Sequence, residues 1–188
     1  MSPYPVQTDR ETIIKTARKL IERDGLDNLS LGSVASTLGI KAPSLYRHIK
    51  NKGALLHAVI ENTYQELFKA FDEAIANSTD DPQEQLISLA HAQYKFAHGN
   101  PNAYMLAYEV KDPEVRADPN MLLERAIILQ KIMTRISGEE KSLTALRGLL
   151  AIGHGFIMLE LNGQFQRGGD LSNAYEESIR VYLYGWQI

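Results

Sequence analysis

The chain of 188 residues contains no cysteine, which excludes disulfides and thiolate metal sites and fits a reducing compartment. Its first residues show no basic cluster followed by an apolar run, so no signal peptide is expected. Its most apolar stretch, residues 148–161, carries His154 and Glu160 and is too short and too polar to span a bilayer. These absences predict a cytoplasmic protein.

Acidic residues are missing from one stretch in particular. Residues 30–52, SLGSVASTLGIKAPSLYRHIKNK, include no Asp or Glu and four basic residues, Lys41, Arg47, Lys50 and Lys52. Residues 1–53 hold nine Lys and Arg against five Asp and Glu, a net charge of +4, so the other 135 residues carry −7 of the chain's total of −3. A basic end on an acidic body is typical of a protein that contacts a nucleic acid at one end only.

The same stretch has the local signals of two short helices joined by a tight turn. Ser30 can cap the first helix, and Gly39 can end it in the left-handed conformation. The second helix is predicted over about Ala42–Ile49, with Pro43 in its first turn and Leu45 facing inward. A plain pair of packed helices with a solvated charged rim would show the same turn. The missing acids and the outward polar side chains favour a helix-turn-helix whose second helix enters the DNA major groove. The outward side chains are Ser44, Tyr46, Arg47, His48 and Lys50.

The run LGIKAPSLYRHIKNKGALL resembles the signature of the TetR family of bacterial transcriptional regulators. The resemblance covers about Thr8 to Val59. It lies in the leucine-glycine turn, the small residues and proline that open the recognition helix, the Leu-Tyr-x-His core and the Asn-Lys that begins the fourth helix. Gly32 departs from it, since many relatives carry a larger polar or basic residue there, so the operator sequence cannot be inferred by analogy.

Eight residues are candidates for DNA binding. The recognition helix would present Ala42, Pro43 and Ser44 to base edges, and Arg47 to a guanine or the backbone. The resemblance implies that Tyr46 and His48 contact phosphates and that Lys52 clamps a phosphate at the start of the fourth helix. Packing of Tyr46 and simple exposure of His48 are the alternatives. The full candidate set is Lys41, Ala42, Pro43, Ser44, Tyr46, Arg47, His48 and Lys52.

The rest of the chain predicts helices and no strand, about nine helices in all. A fourth helix of about 25 residues, roughly 37 Å long at 1.5 Å per residue, would link a helix-turn-helix domain over residues 1–53 to a second body over residues 54–188. The expected fold is all-α, with an N-terminal three-helix DNA-binding domain and an all-helical regulatory and dimerisation domain.

The last two helices predict a dimer interface. The stretch LRGLLAIGHGFIMLELNGQF is apolar on nearly every side, more than one buried stripe requires. A central core helix of the monomer is the alternative. His154-Gly155 and Leu159-x-Leu-x-Gly163 resemble the C-terminal WHG-type domain of some TetR-like regulators, which implies pairing as a four-helix bundle. The predicted interface residues are Gly148, Ala151, Gly155, Phe156, Leu159, Tyr175, Ile179 and Tyr182.

The resemblance also implies a small-molecule pocket in the second domain. Tyrosine, histidine and methionine side chains in otherwise apolar helices could line it, although such side chains more often pack in the core with their polar atoms hydrogen-bonded. The candidates are Tyr94, His98, Tyr104, Tyr108, Met133, His154 and Met158. His91, His98 and His154 lack nearby ligands at metal-binding spacing, and no catalytic motif is present, so neither metal, cofactor nor enzymatic activity is expected.

The sequence therefore predicts a homodimeric repressor that binds a palindromic operator and is released by an unknown small molecule. A DNA-bound structural or interaction protein without an effector is the alternative, and an enzyme or carrier with an incidental helix-turn-helix is a third.

Overall fold

The computed structural model describes residues 8–187, and over that range the chain forms eight α-helices and no strand. This confirms the all-α fold, with close to the predicted number of helices. A short 3₁₀ turn, Leu26–Asn28, follows the first helix. In chain order the helices are α1 Arg10–Asp24, α2 Leu31–Thr37, α3 Ala42–Tyr46, α4 Lys52–Ala76, α5 Pro82–Gly99, α6 Pro101–Glu109, α7 Pro119–Leu161 and α8 Leu171–Tyr184.

These helices pack into two compact units. Within the described residues, the first unit comprises 8–65 and 100–118, and the second comprises 66–99 and 119–187. The first unit thus includes α6 and the start of α4 as well as the three N-terminal helices. The two units are defined by packing alone. The predicted division into a DNA-binding domain up to residue 53 and a second domain after it therefore stays a prediction.

The helix-turn-helix forms where its local signals lie. Ser30 and Ser33 cap α2 reciprocally, each side chain accepting the other's backbone N–H. Gly39 has a φ of 64° in the turn, which favours glycine because a Cβ would be strained there. The chain after Tyr46 closes one further turn through the N–H groups of His48 and Ile49, which both donate to the Leu45 carbonyl. The predicted helix to Ile49 is therefore an α-helix of five residues plus this turn.

Two further helices show specific local geometry. The cap of α1 is Asp9, whose carboxylate accepts the Thr12 N–H at 2.7 Å. In α7, Gly138 has φ 72° and ψ 164°, a break inside an otherwise continuous helical run.

Candidate nucleic-acid interface and internal cavity

The surface of α3 is built around one buried anchor. Leu45 is fully buried, and so is nearly all of Ile49, which fixes the helix on the core of the first unit. With those two side chains turned inward, the predicted DNA-binding residues lie at the surface. Ser44 is half-buried, and the other seven are exposed. Tyr46 is 53 % exposed, which does not fit a packing role for its ring.

Two local hydrogen bonds order this surface. The Arg47 guanidinium donates to the Ser44 hydroxyl at 3.2 Å, one turn earlier on α3. The Asn51 side chain accepts the Ala54 N–H at 2.8 Å and so caps α4. The cap holds Lys52 at the N-terminal end of α4, where the helix dipole and the first N–H groups favour an anion.

The acid-free stretch has an acidic neighbour in space. Asp9 lies near enough to His48 for the two charges to interact. The pKa of Asp9 is lowered chiefly by the hydrogen bond from the Thr12 backbone, then by the Thr12 side chain, with a smaller contribution from His48. Asp9 therefore stays ionised at neutral pH beside a residue predicted to contact phosphate. The contact could not be predicted from the sequence, because Asp9 and His48 are 39 positions apart in the chain.

A polar clasp joins α1 to α6 inside the first unit. The Glu22 carboxylate accepts the N–H groups of Asn102 and Ala103 at 3.1 and 2.8 Å, so α1 caps the start of α6. The Asn102 amide in turn donates to the carbonyls of Ile21 and Glu22 at the end of α1. Two helix ends are thus satisfied by each other's side chains, which fixes α6 to α1.

The second unit contains a cavity among α4, α5, α7 and α8. Its volume is about 30 Å³, and the cleft around it, counted with the open space at its mouth, encloses about 380 Å³. Ten of its twelve lining residues are hydrophobic or glycine, and the other two are Gln93 and Tyr175. The ten are Phe71, Leu86, Leu89, Ala90, Leu129, Leu146, Leu149, Leu150, Gly153 and Ile179.

A polar cluster lies beside an aromatic one in the same unit. Glu160 accepts a hydrogen bond from the Tyr94 hydroxyl at 2.9 Å and pairs with His98 at 3.1 Å. Burial raises the pKa of Tyr94 to about 12, and the hydrogen bond to Glu160 adds to the shift. The Tyr94 ring stacks on His98 and contacts Tyr175 at a centroid distance of 4.9 Å.

The structure divides the predicted pocket residues between the units. Tyr104 and Tyr108 contact each other in the first unit, and the other five lie in the second, where Met133 is fully buried. None of the seven, all of which are described, lines the cavity. The grouping of these residues in one pocket stays a prediction. Within residues 8–187, no group of three His, Cys, Asp or Glu residues is placed to hold a metal.

Five of the eight predicted dimer residues make contacts inside the protomer, and their assignment to a dimer interface stays a prediction. Tyr175 and Ile179 are each 1 % exposed in the core, and the Tyr175 hydroxyl donates to the Ala90 carbonyl. Gly148 gives close helix approach, but to Tyr182 of the same chain, since a Cβ at residue 148 would overlap the Tyr182 ring. A stripe at helical spacing predicts burial and does not say which surface covers it.

Tyr182 also belongs to that intramolecular contact, and its hydroxyl donates to the Ala145 carbonyl. Phe156 is half-buried and contacts Phe165 and Tyr175. Ala151 and Leu159 are exposed, and nothing lies within 4 Å of a Cβ built on Gly155. These last three positions remain available to a partner.

Segments of both units match known protein families. Residues 13–59 match the family described as bacterial regulatory proteins, tetR family, and residues 86–182 match the tetracyclin repressor-like C-terminal domain. The chain is 27 % identical over 188 residues to an uncharacterised HTH-type transcriptional regulator, YobS of Bacillus subtilis, covering 98 % of this chain and 95 % of that protein.

Solved structures show the same fold. A protein of unknown function from Rhodococcus superimposes with a TM-score of 0.85 at 20 % identity, over 100 % of both chains. A variant of TetR from Acinetobacter baumannii, solved in complex with minocycline, gives a TM-score of 0.71 at 19 % identity, covering 95 % of this chain and 96 % of that one. The helix-turn-helix surface and the matches over both units lead to one conclusion: the chain belongs to the tetR family of bacterial transcriptional regulators.

Proposed function

We propose that this DNA-binding regulator is a cytoplasmic homodimer that represses transcription at a palindromic operator and is released when a small molecule binds its second unit. The observation that carries the proposal is α3 and its flanks, where a buried leucine holds a mostly exposed row of basic, hydroxyl and aromatic side chains that contains no Asp or Glu of its own. DNA phosphates and base edges match such a row of side chains. The carboxylates of an acidic protein surface are far sparser than the phosphates of DNA, so they would pair with fewer of these cations.

The start of α3 would lie in the major groove. Lys41, Ala42 and Pro43 are all exposed at that end. Ala42 and Pro43 have the apolar surface that fits thymine methyl groups, and Ser44 can exchange hydrogen bonds with a base or a phosphate. Arg47 must leave its contact with Ser44 to reach a guanine or the backbone. Tyr46, His48 and Lys52 would hold phosphates and so fix the orientation of the helix.

A second copy of the chain would cover an apolar surface of the second unit. By length and composition α7 is apolar enough to cross a membrane, yet only 33 % of its most apolar window is buried in the protomer. Eight large apolar side chains of α7 and α8 are each at least 40 % exposed, and five of them follow the break at Gly138: Leu143, Leu150, Leu159, Val181 and Tyr184. Water-exposed side chains of this kind favour a homodimer contact that buries them.

Release would act through α4, because this helix begins in the first unit at Lys52 and ends in the second. Its C-terminal half is tied to α7 by Arg125, which donates twice to Asp72 and lies 4.8 Å from the centroid of the Phe68 ring. A ligand that displaces α7 would therefore displace α4, and with it the phosphate contact at Lys52.

Selection from random double-stranded DNA tests the proposal. The expected product is an inverted repeat bound by two protomers, with half-site centres about 34–36 Å apart, the spacing of successive major grooves. Lys52→Gln should weaken binding to the selected site several-fold, and Lys131→Gln, which removes an exposed lysine of α7, should leave it unchanged. Enrichment of no sequence, or equal loss in both variants, would contradict the proposal.

A further inference from the structure

We propose that the start of α6 has two alternative caps: Glu22 of α1, which caps it in this structure, and its own residue Asn100, which takes over when α6 separates from α1. The first turn of α6 can then leave α1 and keep both a cap and its helical hydrogen bonds. The exchange of caps lies wholly within the first unit and does not depend on the proposed function.

The first turn of α6 presents two backbone donors that need an acceptor from outside the helix. Pro101 has no N–H, and the Tyr104 N–H makes the first bond of the helix at 2.9 Å. The N–H groups of Asn102 and Ala103 remain, and they donate to the two carboxylate oxygens of Glu22 at 3.1 and 2.8 Å. One side chain of α1 therefore caps both donors, and its negative charge suits the positive end of the α6 dipole.

The residue that directly precedes α6 is a good cap whose side chain is bound elsewhere. Asn100 holds the N-cap position, where asparagine is among the most favourable residues, yet its side chain makes no cap hydrogen bond. Its Oδ1 accepts instead from the Arg18 guanidinium of α1 at 2.7 Å. Arg18 and Glu22 are one turn apart on one face of α1. The same helix thus supplies the cap of α6 and holds Asn100 away from that role.

The backbone of Asn100 agrees with this arrangement of its side chain. Its φ of −145° and ψ of 54° lie outside the extended region that N-cap residues normally adopt. Asp9 and Ser30, which cap their own helices, have ψ values of 170° and 158°. A rotation about ψ of Asn100 into the extended region would bring its side chain to the donors of the first turn. The exchange of caps therefore also changes the direction in which α6 leaves Asn100.

The contact between α1 and α6 is rich in polar groups, so water can replace its hydrogen bonds when the helices separate. On the α1 side these bonds involve the half-buried carboxylate of Glu22 and the buried guanidinium of Arg18. The loss of a cap lowers the ratio of folded to unfolded protein about fivefold. With Asn100 in reserve this loss is avoided, which favours local opening over unfolding of the first turn.

A helix start with two satisfied arrangements is the kind of element through which a bound molecule can change a surface elsewhere in a protein. Because α1 packs against α2 in the core of the helix-turn-helix, separation of α6 removes a support from the helices that carry the recognition surface. Only this use of the exchange rests on the proposed function.

A double-mutant cycle measured by urea unfolding tests the exchange. Glu22→Ala removes the cap seen in the structure and leaves Asn100 to replace it, whereas Asn100→Ala removes the reserve. The two changes together should lower the ratio of folded to unfolded protein at least about fivefold more than the product of the single effects, because only the double variant has no cap. A loss equal to that product, or smaller, would overturn the exchange of caps.

Asn62 supplies the matched control. It is a second amide that accepts from Arg18, at 3.4 Å, and it lies inside α4, away from any helix cap. Asn62→Ala combined with Glu22→Ala should therefore give the product of the single effects to within about twofold. Synergy in this control pair as large as in the test pair would assign the effect to Arg18 and overturn the exchange of caps.

Amide hydrogen exchange, followed by NMR, decides the matter if the double variant does not fold. In Glu22→Ala at least one of the Asn102 and Ala103 amides should keep its protection within about tenfold of the unmodified chain, since Asn100 then accepts from it. Complete loss of protection at both amides in a folded Glu22→Ala variant would overturn the exchange. Neither measurement involves DNA, so failure of the exchange leaves the proposed function standing.

Discussion

The two compact units differ in how their surfaces and cores are satisfied. In the first, helix ends are paired by side chains, as in the exchange between Glu22 and Asn102, and the exposed face of α3 is polar. In the second, a cavity interrupts the core, and large apolar side chains of α7 and α8 reach the surface. The first unit satisfies its own helix ends, and the second has the cavity and the exposed apolar side chains on which the proposed effector and second copy rest.

The largest effect is expected from Leu45→Ala. Leu45 is the fully buried anchor of α3, and truncation of a buried leucine costs about 2–5 kcal/mol. DNA binding should be lost together with that stability, as urea unfolding and a binding titration would show. The matched change Leu143→Ala, at a position 43 % exposed in the second unit, should cost the isolated protomer less than about 1 kcal/mol. Similar losses for the two leucines would contradict the contrast between the units.

Gly148→Ala comes next, because its methyl would overlap the Tyr182 ring. Overpacking of this kind costs about 1–3 kcal/mol. Gly155→Ala is the control on the same helix, and it should be neutral or stabilising by up to about 1 kcal/mol in the protomer, since nothing lies near its Cβ position. Thermal unfolding at low protein concentration measures both, and a stable Gly148→Ala variant would rule out the close contact of α7 with α8.

Asn102→Ala should lower the free energy of unfolding by about 1–3 kcal/mol, because two carbonyls at the end of α1 lose their donor. Chemical denaturation would give the value. The exposed Asn173→Ala in the first turn of α8 is a comparison at a helix start in the second unit. Equal effects would mean that the clasp adds nothing to the first unit.

The smallest effect is expected from the ion pair between the exposed Asp72 and the largely buried Arg125. The hydrogen bond from Arg125 lowers the pKa of Asp72 below its usual value of 3.8. Its stabilisation is therefore present above that pH and is lost as the pH falls through the lower folded value. Asp72→Asn should cost less than about 1 kcal/mol at pH 7 and nothing below the folded pKa, as urea unfolding at each pH would show.

The same contrast shows what the sequence could predict. The helix-turn-helix was predictable because its determinants are local: the Ser30 cap, the Gly39 turn and the proline of α3 act on neighbours within four positions. The partner of Gly148 was not, because Tyr182 lies 34 positions away on another helix. Tyr175 and Ile179 show the same limit, since spacing predicts a buried stripe and leaves open what buries it. The cavity has no sequence signal, because it arises where four helices fail to fill one space.

The dependence of operator binding on salt tests the central claim most directly. If each protomer neutralises three to four phosphates, log K should fall with log salt concentration at a slope of about −5 to −7 for the dimer. Lys52→Gln should reduce the magnitude of the slope by about 2, one phosphate for each protomer. A slope near that of a monomer, or one that Lys52→Gln leaves unchanged, would contradict a homodimer that contacts DNA through this surface.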